Sequence, residues 1–329
     1  MTFPNPGPRL VRVMYDCIVI GAGPAGLSAA LFLARYRRRV LTFHNSSPRN
    51  LYSHGVHGFL GHHGIMPEQL LARGRDEVTM HGGLIVEGCV TKVEKLGEEH
   101  FRVSTGDDDR NTDDRNALAA VQSFEARRIL LATGLRDLTP DCPGFADFYG
   151  VTVHHCPDCD GYEVSDKRVA VLSAGEKGVG FTLGLLTWTD KLVLLTDGDA
   201  EGISEEHRAR LARFGIPVRE ERVTGLEGDP EKKLLERVLF EGGEALACDA
   251  LFFNLGTEMA GRLHETLGCG LDPECGLVAV DDEQQTSVRG VYAAGDITPH
   301  SQLAVVAAAE GAMAAIQIHK SLTPEERRV

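Results

Sequence analysis

Short, β-branched apolar runs recur along the chain, and several end in a glycine-bearing turn followed by a helical pattern. Residues 17–20 (CIVI) enter Gly21-Ala22-Gly23-Pro24-Ala25-Gly26, and an Ala/Leu-rich helical stretch leads to the next apolar strand at residues 40–43. A second strand–helix–strand outline spans residues 168–195, RVAVLSAGEKGVGFTLGLLTWTDKLVLL. Apolar strands are also expected at residues 127–134, ending in Thr133-Gly134, and at residues 290–296, ending in Gly295-Asp296. An Ala-rich helix should follow over residues 302–318. The alternation predicts an α/β protein with two dinucleotide-binding-type, Rossmann-like domains. The first is discontinuous, residues 1–134 plus 258–329, and the second, residues 135–257, is inserted between.

Length and composition fit this reading. A chain of 329 residues exceeds one ordinary core, and 43% hydrophobic residues is normal for a globular protein. No apolar run reaches membrane length, and the opening MTFPNPGPRLVRV is too polar and Pro-rich for a signal peptide; it reads as a tail ahead of Met14. With 34 basic and 48 acidic residues, the net charge of −14 argues against nucleic acid or anionic membranes as partners. The acidic stretch at residues 105–116 reads as a solvated hairpin tip. Eight cysteines in a long chain without a signal suggest a reducing cytoplasm and a few special thiols.

The first glycine turn has the context that makes its spacing informative. Gly21 permits the tight turn, Gly23 lets a pyrophosphate approach the backbone, and Gly26 lets the helix pack on the strand. The helix N-terminus presents partial positive charge to the phosphates. A glycine turn without a ligand is the competing reading. The acid that should end the second strand and hold a ribose hydroxyl is missing: His44-Asn45 stands there, so one of them must serve instead.

The stretch HHCPDCDGYE holds Cys156 and Cys159, two histidines before them and Asp160 after. Zinc or redox chemistry would each use such a pair. Zinc wants a tetrahedral ligand set, commonly two such pairs, and Cys269 and Cys275 across a Gly/Pro-containing turn make a poor second one. His154 and His155 alternate direction on an extended segment, so at most one faces the side of Cys156. Pro157 is suited to a first helical turn, which puts Cys156 at a helix N-terminus, where a thiolate is favoured. Cys17 and Cys89, in apolar strand-like runs, read as small core residues, and Cys142 as a thiol without an assigned role.

The GxGxxG turn, the ATG strand and the GD strand, in that order across the whole chain, resemble the two-dinucleotide flavoprotein disulfide reductases. The C-x-x-C-D-G in the second domain is similar to that of the low-molecular-weight thioredoxin reductases. The resemblance implies a three-layer architecture, FAD as cofactor, a homodimer, and domains that rotate so the cysteine pair alternately meets flavin and solvent. It implies cofactor contacts from Gly21, Gly23, Pro24, Ala25, Gly26, His44, Asn45, Thr133, Gly134, Gly295, Asp296, Gln302, Leu303 and Ala304. Asp296 would hold the ribityl chain, Cys159 would lie on the flavin side, and Cys156 would exchange with the external substrate. Asp160 would be the proton-transfer acid; a plain turn aspartate before Gly161 is the alternative.

The second nucleotide turn departs from the family. Ser173 replaces the first glycine, and Glu176 sits near the helix end that should receive phosphates. From residue 192 to 207 there is no Lys or Arg, while Asp197, Asp199, Glu201, Glu205 and Glu206 are acidic. A 2′-phosphate is disfavoured there, so NADPH is doubtful; NADH is possible through Asp197. HNSSPRNLYSHGVHGFLGHHG and CPDCDGYE are similar to a thioredoxin-reductase-like branch that includes dithiol oxidases and pyridine-nucleotide-independent thioredoxin reductases. That branch implies FAD contacts from Arg49, Asn50 and the glycine-rich loop at residues 55–64. His44, His54, His57, His62 and His63 either face the flavin or are exposed loop residues. The expected function is FAD-dependent thiol–disulfide exchange with a thioredoxin-like protein or small dithiol, and oxygen, ferredoxin or another group as electron partner. A conventional NAD(P)H-dependent thioredoxin reductase and a non-catalytic flavoprotein sensor are the alternatives.

Overall fold

The computed structural model describes residues 13–106, 122–199 and 202–327. The expected N-terminal tail, most of the acidic hairpin tip and Glu201 lie outside them. The chain divides into two compact units, one of residues 1–48, 68–135 and 259–329, the other of residues 49–67 and 136–258.

The first unit is built on a seven-stranded sheet. Strand Met14–Ile20 pairs in parallel with Val40–His44 on one side and Ser123–Leu131 on the other. Leu84–Glu87 extends one edge in parallel, and Val291–Ala293 pairs with Ser123–Leu131. The antiparallel hairpin of Val90–Gly97 and His100–Thr105 completes the sheet. The central strands are apolar on both faces because both faces are covered. One face carries helices Pro24–Arg35 and Ala304–Ser321, which approach through alanines such as Ala29, Ala30, Ala314 and Ala315. A Cβ on Gly311 would run into the Ala25 carbonyl, so only glycine allows that crossing. The other face buries Phe43, Phe101 and Phe124 beneath Leu263 and Val278.

The second unit has a five-stranded parallel sheet, ordered Val218–Arg219, Leu192–Leu195, Val169–Leu172, Ala250–Phe253 and Val153–His154. Helix Gly175–Gly184 follows its central strand, and a three-stranded antiparallel sheet spans residues 223–247.

Two sequence expectations change. Residues 49–67 directly follow a first-unit strand and were expected there, yet they pack with the second unit. Gly150, at φ +83°, admits the Tyr52 carbonyl where any Cβ would collide, and His54 binds the Gly150 carbonyl at 3.0 Å. Cys89 is half-buried in the link between Leu84–Glu87 and Val90–Gly97, because Gly88 turns back to bond the His44 carbonyl before the hairpin starts.

Candidate active site

In the first unit, Gly21 adopts φ +111°, and a Cβ there would strike the Ala132 carbonyl. A Cβ on Gly26 would strike the carbonyl of Gly21. Gly23 differs: its backbone is extended (φ −73°, ψ −173°), and an added Cβ would meet no atom within 4 Å. Pro24 opens the helix, and no side chain caps that end. Gly134, at φ +72°, has the same open space beside it. These turns leave bare backbone for a phosphate-bearing ligand, as a dinucleotide cradle requires.

The Gly295-Asp296 turn is held from behind. Gly295, at φ +83°, would bring a Cβ to 2.9 Å from the Ala25 Cβ. Its N–H donates to Glu310 Oε2 at 2.7 Å, and Thr298 Oγ1 donates to the same oxygen at 2.8 Å. His300 Nδ1 lies 2.9 Å from the other carboxylate oxygen. Glu310, 5% exposed inside an alanine-rich helix, was not singled out by sequence; its signal is a lone acid on an otherwise apolar face. Asp296 and Thr133 are half-buried, as are Gln302, Leu303 and Ala304, with Leu303 as the extended N-cap of Ala304–Ser321. His44 ends its strand with Nδ1 at 3.2 Å from Ser46 Oγ, and burial lowers its pKa against the pull of Glu87. Asn45 is exposed, its Oδ1 accepting the Ser47 N–H at 3.3 Å.

In the second unit, Cys156 and Cys159 are joined as a disulfide, with Cα atoms 5.2 Å apart. Cys156 is the N-cap of helix Pro157–Asp160, and its carbonyl accepts the N–H groups of Cys159 and Asp160. Asp160 is 8% exposed, with Oδ2 at 3.5 Å from Nδ1 of His154, itself 3% exposed. His155 turns the other way: Nε2 lies 3.7 Å from Asp137 Oδ2 and Nδ1 lies 3.4 Å from the Tyr149 hydroxyl. Burial lowers the His155 pKa, with Asp137 opposing it, and burial together with Asp137 raises that of Tyr149. Arg49 Nε donates to both Asp137 oxygens, at 3.2 and 3.1 Å. His57 Nδ1 lies 3.4 Å from Glu163 Oε1, and the His57 ring stands 5.8 Å from that of His54 and 5.4 Å from that of His63. The His62 ring packs 5.7 Å from Phe59. Asn50 is half-buried, and its carbonyl accepts the Ser53 N–H. No group of three or more potential ligands among the described residues could hold a metal ion.

The second glycine turn departs from the first at Ser173. Ser173 Oγ donates to the Asn254 carbonyl at 2.9 Å, and a Cβ on Gly178 would press within 3.2 Å of the Ser173 side chain. Asp197 is exposed, and its Oδ1 accepts the Val223 N–H at 2.8 Å. Asp199 Oδ1 accepts the Gly202 N–H at 3.2 Å, and the Glu176 side chain is 87% exposed.

Two Rossmann-type units, one with an open glycine cradle and one with a disulfide at a helix start, define a nucleotide-dependent disulfide oxidoreductase. The chain belongs to the pyridine nucleotide-disulphide oxidoreductase family, whose model matches residues 15–311. It is similar to HlmI, at 34% identity and a TM-score of 0.84, over 94% of this chain and 92% of that one. It is equally close in fold to a thioredoxin reductase TrxB from Bacillus anthracis, described as putative, at 31% identity and a TM-score of 0.84, over 95% of this chain and 99% of that one. A thioredoxin reductase from Treponema pallidum is 28% identical, over 92% of this chain and 95% of its own length. The protein is thus a thioredoxin-reductase-like disulfide oxidoreductase of a flavoprotein family. No helix among the described residues is long and apolar enough to cross a membrane.

Proposed function

We propose that the protein is an FAD-dependent thiol–disulfide oxidoreductase that cycles Cys156–Cys159 against a dithiol or thioredoxin-like substrate and does not use NADPH as its electron donor. The observation that carries the reading is the disulfide at the start of Pro157–Asp160 with the buried Asp160–His154 pair beside it. The open backbone at Gly23 and Gly134 fits FAD phosphates, with Pro24, Ala25 and the Gly295-Asp296 turn around it and Gln302, Leu303 and Ala304 opening the helix that carries Glu310. When bound, FAD supplies a two-electron couple.

The chain's own part is exchange. A substrate thiolate attacks Cys156 Sγ, the Cys156–Cys159 bond breaks, and Cys159 leaves as thiolate; the second substrate thiolate then attacks the substrate sulfur of the mixed disulfide, Cys156 leaves as thiolate, and oxidised substrate is released. Asp160, within reach of His154, holds the proton that moves with this electron pair. The reverse sequence reduces a disulfide.

Three features oppose NADPH: Ser173 bound to Asn254, the exposed Glu176 at the helix entry, and acids where a 2′-phosphate needs cations. Asp197 is exposed and accepts from Val223 through Oδ1, which leaves its second carboxylate oxygen to meet a ribose hydroxyl, so NADH stays the nicotinamide to compare with NADPH. Screening over about 8–10 Å at ordinary salt leaves such close repulsion intact. Stopped-flow mixing of the purified flavoprotein with NADPH, NADH and a small dithiol tests the reading. Dithiol should reduce the flavin orders of magnitude faster than saturating NADPH, and fast, tight NADPH reduction would sink it.

A further inference from the structure

Helix Pro24–Arg35 is joined to strand Val40–His44 by Tyr36-Arg37-Arg38-Arg39, so four arginines stand within five residues of a chain whose net charge is −14. Two of them serve the fold. Arg35, in the last turn of its helix, complements the negative helix end, and its Nη1 lies 3.3 Å from His81 Nε2. Arg38 ties down the end of the final helix: Nε donates to His319 Nδ1, and Nη2 donates to the His319 carbonyl and to Thr323 Oγ1, each at 3.2 Å. Burial lowers the Arg38 pKa, Asp16 opposes that, and the charges of Arg127 and Arg327 lower it further, so more cations gather at this edge.

Arg37 and Arg39 have no such duty. Both are exposed, and among the described residues neither guanidinium has a hydrogen bond or ion pair. Arg168, Arg219 and Arg237, by contrast, each hold a carboxylate at 2.6 or 2.7 Å. Arg39 meets Asp16 through its backbone alone, its N–H donating to Oδ2 at 2.8 Å. Arg37 works against the local structure. It sits at φ +60° just past the helix, where the Arg38 N–H closes the helix end on the Leu33 carbonyl at 3.0 Å. That left-handed position suits glycine or asparagine. An arginine held there against the backbone's preference points to a use for its side chain, not for the turn.

We propose that this arginine link is a docking surface for a short acidic segment of a partner protein, with Arg37 and Arg39 as its contacts. Guanidinium forks match carboxylates in paired hydrogen bonds. A long polyanion, nucleic acid or an anionic membrane, would run past the patch onto a chain with 48 acidic and 34 basic residues, so the fit is to a short segment. The surface also lies away from the glycine cradle. Asp16, bonded to Arg39, is near the start of strand Met14–Ile20, and Gly21 follows its end. At about 3.3 Å per residue the two are roughly 16 Å apart. A partner held at the amino ends of these strands leaves the cradle open, so docking and flavin binding do not compete.

The test uses the full-length holoprotein and a fluorescein-labelled decaglutamate peptide, followed by anisotropy at increasing salt. Decaglutamine and an oligothymidylate of the same length are the comparators. Wild type should bind decaglutamate with an affinity that falls as salt rises, and should ignore decaglutamine. Arg37→Gly and Arg39→Gln should each weaken binding roughly two- to fivefold, the range of one exposed ion pair, and leave flavin content unchanged. Arg37→Gly should also melt no lower than wild type, because glycine relaxes the left-handed turn. A purely structural arginine would show the opposite pair of results, a lower melting temperature with binding intact. No binding even at low salt, unchanged affinity in both variants, or oligothymidylate bound more tightly than decaglutamate overturns the proposal. So does sedimentation in which wild type self-associates and Arg39→Gln does not, since that seats a second copy of this chain on the arginines.

Discussion

Glu310 accepts the backbone N–H of Gly295 at 2.7 Å from a helix fifteen positions further along the chain, so one buried carboxylate fixes the turn that bears Asp296. Glu310→Ala orphans the Gly295 N–H and the Thr298 hydroxyl, at about 1–3 kcal/mol for each donor left unsatisfied. The variant should melt several degrees lower and lose flavin on gel filtration, read as absorbance per chain. Glu310→Gln, which keeps one acceptor, should fall between. Wild-type flavin retention in Glu310→Ala would show that the turn holds itself.

The two sulfurs should behave differently. If Cys159 is the flavin-side sulfur, Cys159→Ser should lose any long-wavelength thiolate-to-flavin absorbance on reduction, while Cys156→Ser should keep or strengthen it. Identical spectra for the two variants would remove the assignment of roles.

The chain's one tryptophan reports on the redox helix. A Cβ on Gly161 would come within 2.6 Å of the Trp188 ring, so the residue that ends the helix touches the indole directly. Opening the disulfide should change Trp188 emission without any flavin signal being needed. Gly161→Ala should force the ring or the helix aside and slow thiol exchange. An emission spectrum that ignores reduction would show that the helix does not move against Trp188.

Acid should expose a surface network in the first unit. Arg127 first, then Arg128, hold the Glu99 carboxyl down to about 2. A depressed carboxylate contributes stability above its unfolded value, near 4.5, and loses it as pH falls toward about 2. Glu99 is 43% exposed, so the contribution is small, about 1 kcal/mol or less. Glu99→Gln should therefore melt slightly below wild type at pH 7, with the gap closing between pH 4.5 and 2. A gap that persists at pH 2 would place the effect in packing.

The motifs legible in the sequence are those whose chemistry is local. Gly21, Gly23 and Gly26 announce their backbone demands within six residues, and Pro157 marks the helix that Cys156 caps. Asp137 was invisible because its partner Arg49 is 88 residues away. Residues 49–67 were expected beside the strand they follow; contacts with distant residues, the Tyr52 carbonyl against Gly150 and Arg49 on Asp137 among them, show where they belong. The bond from Val223 to Asp197 was not legible either, because a turn aspartate gives no hint of a donor on another strand. His154 and His155 were legible as alternating in direction; what each one meets was not.

The strand Val291–Ala293 and the helix Ala304–Ser321 complete a sheet and a helix layer begun near the start of the chain. Translation therefore sets an order of assembly. At about 5–20 residues per second, residues 49–258 have all left the ribosome several seconds before the final segment that finishes the first unit. The unit with the cysteine pair can close around its own core while the glycine cradle still lacks Glu310 and the helix that backs it. A newborn chain thus acquires its redox helix before it acquires the framework that backs the glycine cradle.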